Sequence, residues 1–373
     1  MLKYFKNNKI FILLTIIYIP LFRYYANLNL NGGHSFMTAD WLISYKFGYI
    51  SRGLFGTFLI PIFNNATVML NFLSIFLILV YLLIFYFVSE IFKSRQQTIV
   101  TYVLILSPAT FLFNIYDSQG SFRKEILGIL AIFFIAYSIS RSNYYIYISS
   151  FIYTMGIFSH SVNLFFLTTI LLIIYLHLKP KKLTPYFAFL IPTILNFILY
   201  FSFSNSEQEL TMKKNMMCLD LERFDLENLC GYGSFDFISW DLNAAYLITQ
   251  NYIINENRQG SFTYILLFLL AIIPLFFDKN IFHNIWYYSI IAISFVPLFL
   301  IGLDWGRWIY IMVICFLIIY MLSEKKIVRS NIKYCVLLTP ILFRVEHCCS
   351  PVLEFNLIEN FKYLSSSLVS ILF

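Results

Sequence analysis

Four polar clusters interrupt an otherwise apolar chain, and each holds an acid, a base or an imidazole. Asp40, Lys46 and Arg52 lie in TADWLISYKFGYISRGLFG, and Asp117, Arg123, Lys124 and Glu125 lie in YDSQGSFRKEILG. Ser159, His160 and Asn163 lie in FSHSVNLFF, and Asp304 and Arg307 in the knot Asp304-Trp305-Gly306-Arg307-Trp308. That knot separates IWYYSIIAISFVPLFLIGL (285–303) from IYIMVICFLIIYML (309–322). Charges in such surroundings are costly unless they pair or serve a purpose. A carboxylate or an imidazole can take a proton from a hydroxyl, and Arg and Lys can hold a departing phosphate, Arg as a bidentate fork and Lys as a compact charge. The clusters therefore contain the parts for group transfer from a phosphorylated donor, with Asp40 as base and His160 in reserve.

Each cluster also has a purely structural reading. Lys46 can snorkel to lipid headgroups. Asp304 and Arg307, at spacing three, can form a local pair that caps a helix. Asp117 can cap a turn with Arg123 and Glu125 pairing nearby, Asp40 can be the N-cap of a helix starting at Trp41, and His160 can be a satisfied interface histidine. What weighs against all of these together is that the clusters fall on one side of the membrane once the spans are placed.

The composition is 60% hydrophobic and 12% charged, against about 25% charged in soluble domains, so the chain is read as an integral membrane protein. The 28 Tyr residues gather near span ends, where an amphipathic ring suits the interface. The Asn-, Lys- and Ile-rich usage points to a low-GC bacterial genome. Apolar runs at roughly 10–28, 67–92, 98–116, 126–140, 144–160, 161–178, 185–203, 261–277, 285–303 and 309–322, with a short eleventh near 334–343, predict an all-α polytopic membrane fold. About 10–11 transmembrane helices form one integral domain over 1–373, the first serving as a signal anchor. Residues 53–64 are expected to form an interfacial or re-entrant segment, and 204–260 one long outer loop, partly helical.

Lys3, Lys6 and Lys9 ahead of the first span place the N-terminus in the cytoplasm. With alternation from there, the inside segments carry 14 basic residues against three acids and the outside 12 against 16. All four clusters then face the outer compartment. Cys218 and Cys230, the two cysteines of the outer loop, suit a periplasmic disulfide. Cys315 and Cys335 read as small packing residues, and His347-Cys348-Cys349 lacks the ligand spacing of a metal site. No cofactor, metal or nucleic-acid partner is implied. A coupled transporter or a flippase would want charged groups or broken helices near the midplane, and the middles of the spans are nearly free of charge.

At the outer face of a bacterial membrane, sugars arrive on polyprenyl phosphates or pyrophosphates, whose transfer needs a base and cations. Arg52, Arg123, Lys124 and Arg307 would hold the pyrophosphate, while Trp41, Trp305 and Trp308 would stack on sugar faces. An acid in the first outer loop followed by an amphipathic segment resembles the layout of GT-C-type membrane glycosyltransferases. The stretches Asp40-Trp41…Gly48-Tyr49-Ile50-Ser51-Arg52-Gly53-Leu54, Arg123-Lys124-Glu125 and the knot together resemble proteins of capsule and O-antigen clusters, including Wzy-type polymerases. The first loop has a single acid where many GT-C enzymes have an adjacent pair. The resemblance implies polymerisation of undecaprenyl-pyrophosphate-linked repeat units at the periplasmic face of the inner membrane. It implies a lipid-linked glycan as substrate, a chain-length regulator as partner, and substrate contacts from Arg52, Asp117, Arg123, Lys124, Glu125, Asn163, Asp304, Trp305 and Arg307. The alternatives are a GT-C transferase adding one sugar from a polyprenyl-phosphate donor, a lipid-linked glycan transporter or flippase, and an O-acyltransferase using His160.

Overall fold

A computed structural model describes residues 8–94, 99–178, 183–203, 206–240, 242–256, 258–276, 281–323 and 339–348, with isolated positions between 358 and 369. Its elements in chain order are α1 (Lys9–Leu30), the single turn α2 (Ala39–Leu42), α3 (Leu54–Ile62), α4 (Ala66–Ser94), α5 (Ile99–Ile105), α6 (Phe113–Tyr116), α7 (Glu125–Ser138) and α8 (Tyr144–Ser159). There follow a 3-10 segment Ser161–Phe166, α9 (Leu167–Ile173), a π turn to Leu178, α10 (Thr184–Ser202), α11 (Glu207–Glu222), α12 (Leu242–Asn251), α13 (Arg258–Phe276), α14 (Ile281–Ile301) and α15 (Trp305–Leu322). No strand occurs among the described residues. The chain is an all-α polytopic membrane protein.

Among the described residues, six helical stretches are long and apolar enough to cross a membrane: Lys9–Leu30, Ala66–Lys93, Ser161–Leu178, Thr184–Ser202, Gln259–Phe276 and Trp305–Leu322. The expected span 285–303 falls in α14, whose described apolar side chains run over Ile285–Ile301, and the others are shorter or interrupted. Helix α7 has 14 residues and α8 has 16, while 98–116 breaks after Ile105 and resumes at Phe113. Of the expected span 334–343, only a 3-10 turn at Thr339–Ile341 lies within the described residues. Lys3 and Lys6, on which the cytoplasmic N-terminus rests, also lie outside them.

Sequence accounts for which helices face lipid. On α4 the exposed side chains Val68, Phe72, Ile75, Leu79 and Leu83 recur at helical spacing, an apolar stripe that would be anomalous in water. By contrast, α7 is apolar all round after Glu125 and is buried at every position, and α15 is buried from Gly306 to Leu322. These two helices form the centre, with α4 and α8 against α7, α1 against α4, and α14 against α15.

The break between α5 and α6 is tolerated because protein surrounds it. Tyr18 donates to the Phe111 carbonyl at 2.5 Å, and Asn114 donates to the hydroxyls of Tyr18 and Tyr310 at 3.0 and 3.4 Å. The ends of the bundle differ in chemistry. Glu90 pairs with Lys93 at 2.7 Å and with Arg141 at 3.3 Å at one end, where Lys93 also donates to Asn8. The four clusters gather at the other.

Segment 204–260 is helical over much of its length, and its first part folds down on the first connecting loop. Helix α11 starts with a capping box between Ser206 and Glu209. Lys213 donates to the Tyr49 carbonyl at 3.1 Å, Lys46 pairs with Asp220 at 2.6 Å, and the Ser234 backbone N–H donates to the Ser35 carbonyl at 2.9 Å. A Cys218–Cys230 disulfide ties α11 to the turn that follows it. Closing a loop of about 12 residues removes roughly 3 kcal/mol of unfolded-state entropy. Cys218→Ser/Cys230→Ser, or reduction of the wild type, should lower the stability of this cap by about 2–3 kcal/mol. Limited proteolysis within 206–240 reads that change while the helices beneath stay intact.

Candidate functional site

Residues of all four clusters converge beneath this cap. Asp40, in α2, is fully buried. Its carboxylate has Arg123 Nε at 3.7 Å and Lys124 Nζ at 3.9 Å. Glu125, the first residue of α7, is also buried, with Arg307 Nε at 3.5 Å and His160 Nε2 at 4.0 Å. Arg307 donates in turn to Asp304. Arg52 is half-buried and, among the described residues, has no carboxylate within 4.0 Å. Lys124 Nζ donates to the Arg52 carbonyl at 2.6 Å.

The carboxylate oxygens are the informative atoms. Among the described residues, none of the four, on Asp40 or Glu125, accepts a hydrogen bond from a protein group, and neither Arg123 Nε nor Arg307 Nε donates one. At about 4 Å and an effective dielectric near 20, opposite charges still attract by roughly 4 kcal/mol. Each carboxylate thus has a counter-charge while its hydrogen-bonding capacity is left open, which is unusual in a buried network and typical of sites that act on a ligand.

Local backbone sets this arrangement. Phe122, just before Arg123-Lys124-Glu125, has φ of 55°, rare for a side-chain-bearing residue. It is held there by stacking on Tyr25 at 4.1 Å, by donation from Trp41 Nε1 to its carbonyl at 2.7 Å, and by its own N–H donating to the Tyr81 hydroxyl at 3.3 Å. The turn sends Phe122 into the core and Arg123 and Lys124 toward Asp40. Strain of this kind clusters at functional sites.

Electrostatics follow from burial. Burial alone would raise the Asp40 carboxyl, but Lys124, Arg123 and Arg52 hold it well below the usual carboxylate range. Burial brings Lys124 down to about 8 against the opposing pull of Asp40. His160, in the link between α8 and the next helical segment, is pushed well below its ordinary value by burial and by Arg52, so the ring is neutral. Its Nδ1 accepts from the Val162 N–H at 3.2 Å, which puts the proton on Nε2 facing Glu125. In this tautomer Nδ1 is taken by Val162, and Nε2 faces Glu125 at 4.0 Å, beyond hydrogen-bond distance.

Other expected contacts take structural roles. The Asn163 amide is fully engaged: its oxygen accepts from Gly128 N–H at 2.9 Å, and its nitrogen donates to the carbonyls of Gly156, His160 and Lys124. It locks α7 to α8 and leaves no group for substrate. Asp40 does not cap a helix, since α2 has no side-chain cap bond, and neither does Asp304. Trp41 and Trp308 are buried, so neither can stack on a sugar; with Asp40 turned to the charges, its neighbour Trp41 points into the core against Phe55. Trp305 packs between Tyr264 and Phe299. Lys46 is outside the cluster, paired with Asp220.

Open aromatic surface comes instead from segments far apart in sequence. A cavity of about 340 Å³ reaches Arg52 between Tyr49, Tyr200, Phe203, Phe237 and Trp240. A strap over 343–348 was also missed. Asp117 Oδ1 accepts from Gly120 N–H at 3.0 Å, while Oδ2 accepts from the His347 backbone and lies 2.5 Å from its ring. The strap lies against the start of α15, where Gly306 N–H donates to the His347 carbonyl at 3.1 Å and a Cβ on Gly306 would overlap the Glu346 carbonyl. The glycine inside the knot was the readable signal of this close approach. Cys348 is disulfide-bonded, and Cys349 lies outside the described residues. Comparison with family models, curated proteins and solved structures finds no match to this chain.

Burial lowers His347, but its hydrogen bond to and charge attraction with Asp117 more than offset this, so its folded value is raised; Asp117 is lowered. A raised histidine stabilises fully below its unfolded value of about 6.5, and a lowered carboxylate above about 4. The strap should therefore be held best between those values and loosen as pH rises through the folded value of His347. Hydrogen exchange at 343–348, corrected for intrinsic rates, should increase on the alkaline side, and His347→Gln should flatten that dependence.

Proposed function

We propose that the chain transfers a glycosyl group from a lipid pyrophosphate to a sugar hydroxyl, polymerising undecaprenyl-pyrophosphate-linked repeat units. The observation that carries this reading is the pair of buried carboxylates, hydrogen-bond-poor and set among Arg52, Arg123, Lys124 and Arg307. These cations suit a diphosphate, whose charge would be stabilised as it departs. In the step itself, the acceptor oxygen bonds to the anomeric carbon, the carbon–oxygen bond to phosphate breaks, and the pyrophosphate leaves with the electron pair. The acceptor proton passes to Asp40. In the unliganded charge balance Asp40 is a weak base; a bound diphosphate draws the cations to itself and restores the basicity of the carboxylate. Glu125 holds Arg307 by charge.

The aromatic cavity leading to Arg52 suits the glycan, since rings stack on the apolar faces of sugars. The outer compartment suits the site end. The Cys218–Cys230 disulfide lies in the cap at that end, and Lys93 and Arg141 lie at the opposite one.

Asp40→Asn, nearly isosteric, should slow transfer by about 10²–10⁴-fold, as loss of a general base does. Arg52→Ala, Arg123→Ala and Arg307→Ala should likewise reduce long-chain polysaccharide to single repeats when compared at equal protein level. Long chains retained in all four variants would falsify the proposal. Altered repeat composition with normal length would reassign the chain to single-sugar transfer, and repeats accumulating on the cytoplasmic side would reassign it to transport.

Lys124 loses its proton as pH rises through about 8. Phosphate binding then weakens, and transfer should decline on the alkaline side. Lys124→Arg keeps the charge and should shift that decline to higher pH; an unmoved alkaline limb would assign it to another group.

A further inference from the structure

A second cavity, of about 550 Å³, lies between α3 and the foot of α11, and none of its lining residues belongs to the buried charge cluster. Its polar wall is formed by Ser44, Lys46, Thr57 and Arg223, and its apolar wall includes Ile60 and Phe63. Lys46 Nζ and Arg223 Nε share one carboxylate, Asp220, at 2.6 and 3.4 Å. Two cations on one carboxylate leave one positive charge in excess. Both cationic side chains keep about half their surface exposed, 47% for Lys46 and 49% for Arg223, while Asp220 is held beneath them at 8%. Ser44 is 2% exposed, and its hydroxyl has no hydrogen-bond partner among the described residues.

The surroundings of the cavity are apolar. Helix α3 exposes Phe58 and Ile62, and the adjoining start of α4 exposes Val68 and Phe72. A polar recess with excess positive charge thus opens beside a surface suited to hydrocarbon. The recess is built by close backbone approach: a Cβ on Gly56 would overlap the carbonyls of Ile43 and Leu42, so α3 lies directly on the strand of chain that carries Ser44 and Lys46.

We propose that this cavity binds the phosphate headgroup of an anionic lipid. The phosphate oxygens accept from Lys46, Arg223 and the Ser44 hydroxyl, and the hydrocarbon chain leaves past Ile60 and Phe63 along the exposed face of α3 and α4. A zwitterionic headgroup brings its own positive charge to a site already in excess and is bound less well. The site is separate from the glycosyl-transfer reading and stands or falls without it.

The test is native mass spectrometry of the full chain released from phosphatidylcholine nanodiscs containing about one-tenth phosphatidic acid. The wild type should retain one phosphatidic acid in preference to phosphatidylcholine. Lys46→Gln/Arg223→Gln should lower that occupancy by about ten-fold or more, since charge-assisted contacts to phosphate are lost. Because this double variant leaves Asp220 unpaired, Asn64→Trp gives an independent readout: it narrows the cavity from an exposed rim position without touching the ion pairs, and it should lower occupancy similarly. Added inorganic phosphate separates the two sources of the anion. Displacement of the lipid by phosphate assigns recognition to the headgroup, and persistence of the lipid assigns a share to the chain. Equal retention by wild type and Asn64→Trp, no preference over phosphatidylcholine, or occupancy by inorganic phosphate alone would overturn the proposal.

Discussion

The constraint on which the rest of the structure depends is the cost of holding Asp40, Glu125, Arg123, Lys124 and Arg307 together out of water. A buried carboxylate with no counter-charge would take up a proton, and a buried guanidinium cannot lose one. Each group is therefore tolerable only while the others stay in place. They come from α2, from the turn before α7, from α7 itself and from α15, so one electrostatic balance fixes the relative depth of elements more than 260 positions apart, from Asp40 to Arg307. The supporting cast is apolar and stiff: Trp41, Phe122, Tyr25 and Tyr81 form a wall that prevents the Arg123-Lys124 turn from relaxing outward.

Helix α7 gives that balance its location. Fourteen residues rise about 21 Å, well short of the ~30 Å hydrocarbon layer. Its far end lies near Arg141, which pairs with Glu90 at the opposite end of the bundle. The N-terminus of α7, with Glu125, consequently sits in a recess, roofed by the folded part of 206–240. A short central helix wrapped by longer ones is what lets a charged site lie below the rim of a membrane bundle without lipid contact.

Much of this was legible in the chain. Runs of apolar residues located the helices, and the amphipathic stretch 53–64 appears as α3. The convergence of Asp40, Arg123, Lys124, Glu125 and Arg307 followed from placing their clusters on one side. The failures are equally physical. Trp41, Trp305 and Trp308 looked like sugar platforms because they adjoin charges, but neighbours on a helical turn point in different directions, so an acid aimed into the site sends the next residue into the core. Asn163 looked like a ligand because hydrogen-bond demand inside the protein is invisible without the backbone around it. The aromatic cavity and the strap are built from segments scattered between 49 and 347, and no local pattern reports such pairings. His347 was read only as a failed metal ligand, although Gly306 already required something to lie against it.

That strap has a consequence for how the protein is made. Asp117 and His347 are 230 positions apart, so during vectorial synthesis the carboxylate reaches the membrane long before its partner leaves the ribosome. Over that interval Asp117 must stay hydrated or protonated, and the start of α15 lies uncovered at Gly306. Assembly of this end of the bundle is thus timed by one of the later segments to emerge. A nascent chain arrested after α15 would carry the whole Asp40–Glu125 cluster yet lack the residue that pins Asp117 beside it.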